Sequence, residues 1–357
     1  VPLGPVLVVT GAGATHLLGG NQQTVPLMST WAGDIWQRLG QRGFGLADTL
    51  GLQPNMTGEE FERQLGRFLA WERGLTTTSE LADLGEEDIS TGSPKFFSKW
   101  IAKARQNAEL INDAIFESLY VSFGLSAISP YAAMAAYKTL IELLRIEGHP
   151  GWLTVATTNY DFAAEEALQQ LDWRPYWGED SQTSTTGASP PVHLANLANA
   201  TALERTPILH LHGRIGWYRQ PDGQLVSMPP SVNYSKDYGT PGLLLPDPHK
   251  NYEEDMHFRI MWDEFRKAIE QATRILVLGH SLNDAGLCKA LAPAIGNRLR
   301  VSICVDSGEG SPAYQEELGR ILGLLPGLSP GALIPMKFGP DFVPDGTVRG
   351  KFQEWNG

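Results

Sequence analysis

Residues Pro207–Gly213 read Pro-Ile-Leu-His-Leu-His-Gly, and two histidines at this spacing can move a proton near neutral pH. Ile208, Leu209 and Leu211 make the stretch apolar enough for a buried strand, and strand alternation puts His210 and His212 on one face. Gly213 lets the chain turn directly after His212. In open α/β sheets ligands bind beyond the carboxyl ends of the strands. His212 therefore falls where a general base would stand, with His210 one layer deeper. The alternative reading is a pair of core histidines with satisfied hydrogen bonds.

Three more polar clusters follow short apolar runs. Gly11-Ala12-Gly13-Ala14-Thr15 follows Val6–Thr10. Its glycines allow a tight turn and close approach to a ligand, and the next helix start can face a phosphate. The spacing is not GxGxxG, and a plain strand–helix turn explains it equally well. Thr157-Thr158-Asn159-Tyr160-Asp161 closes the run Leu153–Thr157. The Asn159 amide can both donate and accept, and so hold a ribose or a water. Asp161 also reads as a helix cap. Gly279-His280-Ser281-Leu282-Asn283-Asp284 follows Arg274–Leu278, with Asn283 or Asp284 capping the next helix. Asp306 ends a further run, Arg300–Val305.

The elements that must position these clusters are strands alternating with helices. Val6–Thr10, Leu153–Thr157, Pro207–His212, Arg274–Leu278, Arg300–Val305 and Ala332–Phe338 read as strands. Helical spacing recurs over Leu27–Leu39, Phe162–Leu171, Glu253–Ala272, 284–295 and Pro312–Leu324. This alternation predicts an α/β fold with a mostly parallel, doubly wound sheet, which gathers all the polar clusters on one edge around its switch point. Residues 57–148 differ: Thr57-Gly58-Glu59-Glu60 opens a capped helix, and Pro94–Tyr120 and Pro130–Glu147 are two more. They are expected to form a helical module inserted into a single catalytic domain spanning 1–357. Leu17–Pro26 and 173–206 read as loops, and Gly85–Pro94 as an exposed connector.

Composition narrows the classes. A chain of 357 residues buries a large core. Its net charge of -12 argues against direct nucleic-acid binding across its surface. Cys288 and Cys304 are its only cysteines, too few for a four-cysteine zinc site, and they suit a reducing cytoplasm. No apolar run approaches the roughly 20 residues of a membrane span. Val1–Val9 lacks a basic leader, and the missing initiator Met suggests a processed chain.

Taken in order, Gly11-Ala12-Gly13, Thr157-Thr158-Asn159-Tyr160-Asp161, His212-Gly213 and Gly279-His280-Ser281 resemble the Gly-Ala-Gly, Thr-x-Asn-x-Asp, His-Gly and Gly-x-Ser motifs of the sirtuin superfamily. The resemblance spans roughly residues 3–306. It implies a Rossmann-like fold with NAD as substrate and no metal. Gly11, Ala12 and Gly13 would approach the pyrophosphate, and Thr15 and Thr158 would also bind the cofactor. Asn159 and Asp161 would line the nicotinamide-ribose side, and His212 would be the general base. Gly279 and Ser281 would contact the adenosine half, with Asp306 near the adenine ribose. The zinc ribbon of the protein deacylases has no counterpart here, nor does their Ser-Gly-Ile-Pro-x-Phe-Arg run, which only Pro26-Leu27-Met28 and Trp31 echo. The pattern looks closer to the zinc-less sirtuin-like domains of prokaryotic antiphage systems. That implies an NAD hydrolase depleting cellular NAD in abortive infection. It also implies an oligomer and a separate sensor partner of short Argonaute or ring ATPase type. A sirtuin-type deacylase or ADP-ribosyltransferase and a non-catalytic nucleotide-binding sensor are the rival readings.

Overall fold

Val6–Thr10 forms strand β1 and is buried throughout, as a β-branched run between two neighbouring strands requires. It pairs in parallel with β2 (Leu153–Thr157) on one side and with β8 (Arg274–Leu278) on the other. The computed structural model describes residues 4–19, 25–42, 45, 48, 51–53, 55–84, 94–177, 204–228, 233–246, 252–296 and 300–356. The expected connector at 85–93, most of the 173–206 loop and the centre of Leu17–Pro26 lie outside them.

Among the described residues the main sheet has seven strands, in the order β10-β9-β8-β1-β2-β4-β3. Strands β3 (Pro175–Tyr176) and β4 (Thr206–His210) extend it beyond β2, while β9 (Arg300–Val305) and β10 (Leu333–Pro335) extend it beyond β8. Every recorded pairing in it is parallel. The chain moves outward from β1 through β2 to β4, returns to β8 on the other flank, and moves outward again. The order reverses between β1 and β8, so the carboxyl ends of these two strands border the switch-point crevice of a Rossmann-like doubly wound fold.

Helices α1 (Ala12–His16), α2 (Met28–Arg42), α3 (Gly58–Leu84), α4 (Pro94–Phe123) and α5 (Pro130–Leu144) separate β1 from β2 in sequence. Then α6 (Ala163–Gln170) joins β2 to β3. After the strands come α7 (Met256–Gln271), α8 (Ala285–Gly296), α9 (Pro312–Leu324) and α10 (Gly346–Asn356). Local chemistry sets many of their ends. Ser129, before Pro130, accepts from the Ala132 amide, and Asp255 accepts from the His257 and Phe258 amides. α5 packs along α6, and α7 touches β4 and α8. Right-handed crossovers put α5 and α6 on one face of the sheet and α7 and α8 on the other. Trp262 and Phe265 of α7 are fully buried, and each such side chain contributes about 1.5–3 kcal/mol.

The chain divides into two compact units. The sheet belongs to Val1–Val25, Phe123–Leu243 and Asn251–Gly357. The other unit comprises Pro26–Ser122 and Leu244–Lys250. Within that second unit Trp31 is buried, its Nε1 donates to Ser118 Oγ at 2.9 Å, and its ring meets Phe61 edge-on at 5.3 Å.

Two features depart from the expectation. The strand at 207–212 ends at His210, and the chain turns through Leu211 and His212 into β5 (Gly213–Arg219). The Pro-, Tyr- and Gly-rich stretch after it adds β6 (Leu225–Ser227) and β7 (Thr240–Leu243), and these form a separate antiparallel sheet ordered β6-β5-β7. Pro241 and Gly242 hide β7 from a propensity reading. Pro is tolerated there because β7 is an edge strand.

Candidate active site

The turn after β1 is built against the turn after β8. The Gly11 amide donates to Leu278 O at 3.0 Å and the Gly13 amide to Gly279 O at 2.8 Å. Gly279 has φ +58, and a Cβ there would lie 2.1 Å from the Ala14 nitrogen. The protein's own backbone fills the space that these glycines open. The Ala14 amide is engaged with Gly11 O, so the Ala12 amide is the one in Gly11–Ala14 not used by these bonds. Next to Gly279, Leu282 adopts φ +58 with its side chain fully buried. A branched side chain in the left-handed region marks a turn over-determined by its surroundings.

Asn159 joins this turn from β2. Its Nδ2 donates to Gly11 O at 2.9 Å and to Thr15 Oγ1 at 3.2 Å, while its backbone amide donates to Thr157 Oγ1 at 3.0 Å. Both amide hydrogens are therefore engaged inside the protein, and Oδ1 is the atom through which Asn159 can meet a ligand, as an acceptor. The Thr158 amide donates to Thr10 O at 3.1 Å. Asp161 holds the Ala163 amide at 2.9 Å through Oδ1, one residue ahead of the N-cap position, which Phe162 occupies. Its Oδ2 is buried with no hydrogen-bond partner among the described residues. Burial pushes its carboxyl up to about 6, with Glu165 adding to the rise and the Ala163 amide opposing it.

His212 and His210 part company. His212 lies past the strand end, 5 % exposed, with Nε2 3.0 Å from Asp284 Oδ2. The same oxygen accepts from the Tyr252 hydroxyl at 2.5 Å, and Asp284 Oδ1 accepts from the Leu287 amide at 3.0 Å, capping α8. The Tyr252 ring lies nearly parallel to the imidazole, centroids 6.0 Å apart, and against Trp262 at 4.2 Å. Gly286 makes room for it, because a Cβ there would come 2.6 Å from Tyr252 Cε2. Asp284 is an acceptor at each of these contacts, so the proton of a neutral His212 sits on Nε2 and Nδ1 is the basic nitrogen.

His210 instead points to α6. Its Nε2 is 2.8 Å from Glu165 Oε1, which also accepts from Arg214 Nε at 2.8 Å. The shared face expected for the two histidines does not hold, because α6 and α8 flank opposite faces of the sheet. Burial would raise the Glu165 carboxyl, but His210 and Arg214 outweigh it and hold it below its usual range. Burial also pushes the neighbouring Tyr137 hydroxyl up, with Asp161 and Glu165 adding to the effect.

The structure thus bonds Gly11, Ala12, Gly13, Thr15, Asn159 and Gly279 into one cluster, while Thr158 is tied to Thr10 O, Asp161 to the Ala163 amide, and His212 stands past the end of β4. Ser281 and Asp306 are exposed. The Ser281 hydroxyl receives the Asn283 amide at 3.5 Å, and Asp306 stands one residue beyond β9. In the sequence Asp284 reads only as a cap, and nothing there singles out Tyr252, Glu165 or Arg214. The one signal for Asp284 was its position after a strand-end glycine. Cys304 is buried and Cys288 half-buried, both as free thiols, and burial pushes both up. Among the described residues no group of three His, Cys, Asp or Glu side chains could hold a metal, and no helix is long and apolar enough to cross a membrane.

The site and sheet define a doubly wound α/β protein with a polar cluster at its switch point. No family model and no curated protein matches the chain. Among solved structures it is similar to a Sir2 homologue in complex with NAD, at 14% identity and TM-score 0.39, covering 98% of this chain and 87% of that one. A mutant of Sir2 homologues with 2'-O-acetyl ADP ribose is similar at 15% identity and TM-score 0.39, covering 98% and 90%. A Sir2 homologue mutant with ADP ribose gives 12% identity and TM-score 0.35 over 98% and 90%. At these values the fold assignment rests on the strand order and the site on its geometry.

Proposed function

We propose that this chain is an NAD hydrolase that cleaves the nicotinamide–ribose bond to give nicotinamide and ADP-ribose. The observation that carries the reading is the pairing of a histidine oriented by Asp284 with the inward-tied amide of Asn159, on the carboxyl edge of a doubly wound sheet. The sirtuin-like order of the motifs supplies the substrate class. Ala12, with its amide unused by the turn, and Thr158 are the groups proposed to meet the dinucleotide beside Asn159.

The bond breaks through an oxocarbenium-like transition state, and nicotinamide departs as a neutral leaving group. Water attacks the anomeric carbon, a C–O bond replaces the C–N bond, and His212 Nδ1 takes the proton that water loses. Asp284 holds the imidazole in one tautomer and stabilises the imidazolium that forms, the arrangement of a base oriented by a third group. Asn159 Oδ1 aims the water by accepting its second hydrogen. The Tyr252 and Trp262 rings exclude bulk solvent from the back of the imidazole.

In the same reading the enzyme is a cytoplasmic NAD-depleting effector of antiphage defence, assembled as an oligomer and triggered by a separate sensor. Residues 57–148 are its inserted helical module. The test is to incubate the purified chain with NAD, with and without an acetylated peptide, and to follow nicotinamide and ADP-ribose. Release of both without the peptide is expected. Release that requires the peptide or another acceptor would move the assignment to a transferase.

A further inference from the structure

Glu165 Oε1 accepts from two side chains at the same distance, 2.8 Å: His210 Nε2 and Arg214 Nε. These residues stand two before and two after His212. One carboxylate oxygen of α6 thus spans the turn that carries the proposed base. The backbone also ties that turn to the Asn159 segment, through Leu211 N to Thr157 O at 2.8 Å and Ile215 N to Tyr160 O at 3.0 Å. Between them lies Gly213 at φ +84, where a side chain would lie 2.2 Å from Gly242 O. Glu165 belongs to the helix that begins just after Asn159 and Asp161, so its carboxylate also links the two segments bearing the proposed catalytic pair.

The surroundings argue that this cluster is kept for geometry. Glu165 Oε2, His210 Nδ1 and Asp161 Oδ2 are all buried with no hydrogen-bond partner among the described residues. Buried polar atoms left unsatisfied cost stability, and a buried ion pair is often no better than an apolar packing of the same shape. Arg214 is locked in place besides, lying 4.4 Å over the Phe162 ring and 5.0 Å over the Trp177 ring. Glu165 therefore has a rigid partner on the far side of the turn.

We propose that Glu165 is a positioning residue for His212: by holding His210 and Arg214 together it sets the place of the imidazole relative to Asn159. The claim rests on the hydrolase reading for its kinetic consequence, but its structural core can be tested without turnover. Glu165→Asp keeps the charge and shortens the reach by one methylene, and Glu165→Gln keeps the reach and loses the charge. Either variant that folds serves the test. Histidine-labelled protein is followed by ring NMR, alongside kcat and KM for nicotinamide release and a thermal melt.

The expected result is a shifted or doubled His212 ring resonance and a kcat lower by about 10–100-fold, with KM within a few-fold. A merely structural role would lower the melting temperature but leave the His212 resonance of the folded protein unmoved. An unmoved resonance in a folded variant overturns the proposal. So does a kcat within a few-fold of the parent in an active enzyme. If the parent itself releases no nicotinamide from NAD, the hydrolase reading falls, and the His212 resonance still decides whether Glu165 positions the turn.

Discussion

His212 Nε2 lies 3.0 Å from Asp284 Oδ2, across 72 residues of chain. The other oxygen of Asp284 caps α8 through the Leu287 amide, so the partner of the imidazole is anchored to the start of a helix. A base held by a fixed acceptor keeps one tautomer and one orientation, and this makes the pair separable by substitution.

Asp284→Asn retains an oxygen for the helix cap but presents an amide to His212. It should keep the cap, because Asn and Asp cap comparably, cost about 1–3 kcal/mol through the His212 and Tyr252 bonds lost at Oδ2, and lower NAD cleavage by about 10²-fold or more. His212→Ala should lose about 10²–10⁴-fold. Nicotinamide release and thermal melts on the two variants check this. Full activity in Asp284→Asn would remove Asp284 from the proposed chemistry.

Asn159 ties β2 to the first turn as well as meeting the substrate. Asn159→Ala breaks the bonds to Gly11 O and Thr15 Oγ1. It should cost about 1–3 kcal/mol of stability as well as the cleavage rate. A melting temperature equal to the parent's would show that the amide does not hold the turn.

The buried Asp161 carboxyl, raised to about 6 by burial, ties stability to pH. Its folded-state value lies above the unfolded one near 3.9, so the native state binds the extra proton between those values. Stability should therefore fall as pH rises from about 4 to 6 and level off above, a loss on the order of 3 kcal/mol from this group. Glu165 acts in the opposite sense, losing its contribution as pH falls below the usual carboxylate range. Asp161→Asn should remove the decline between pH 4 and 6, and melting curves across that window would show whether it does.

Gly279 is irreplaceable on steric grounds, with φ +58 and a virtual Cβ 2.1 Å from the Ala14 nitrogen. Gly279→Ala should lower stability by about 3 kcal/mol or fail to fold. Gly308→Ala is the control, since nothing lies within 4 Å of its virtual Cβ, and it should stay within about 0.5 kcal/mol. Equal denaturant midpoints for both variants would contradict the packing described for the two turns.

Much of the architecture was already legible in local sequence. Val6–Thr10, Leu153–Thr157 and Arg274–Leu278 are strands because apolar, β-branched runs of that length can bury both faces only inside a parallel sheet. The Ser129-Pro130 and Ser311-Pro312 pairs start helices through bonds spanning three residues, which sequence spacing reports directly. The parallel sheet that brings the strand-end clusters to one edge follows from the same alternation. Strand β7 was not legible, since Pro241 and Gly242 pair only by virtue of an edge position that no local window records.

What the sequence determined by itself was the set of strand-end residues, including Asn159 and His212, because it is fixed by apolar periodicity and by where a run stops. Which partners those residues take was decided only by the tertiary structure. His212 meets Asp284 and Tyr252, while His210, two residues earlier and expected on the same face, meets Glu165. The reason is physical: β4 ends at His210, so the alternation that would align the two histidines stops there. Past the strand end each side chain's neighbour depends on which face of the sheet a helix crosses, and that is set by chain topology at long range rather than by any nearby residue.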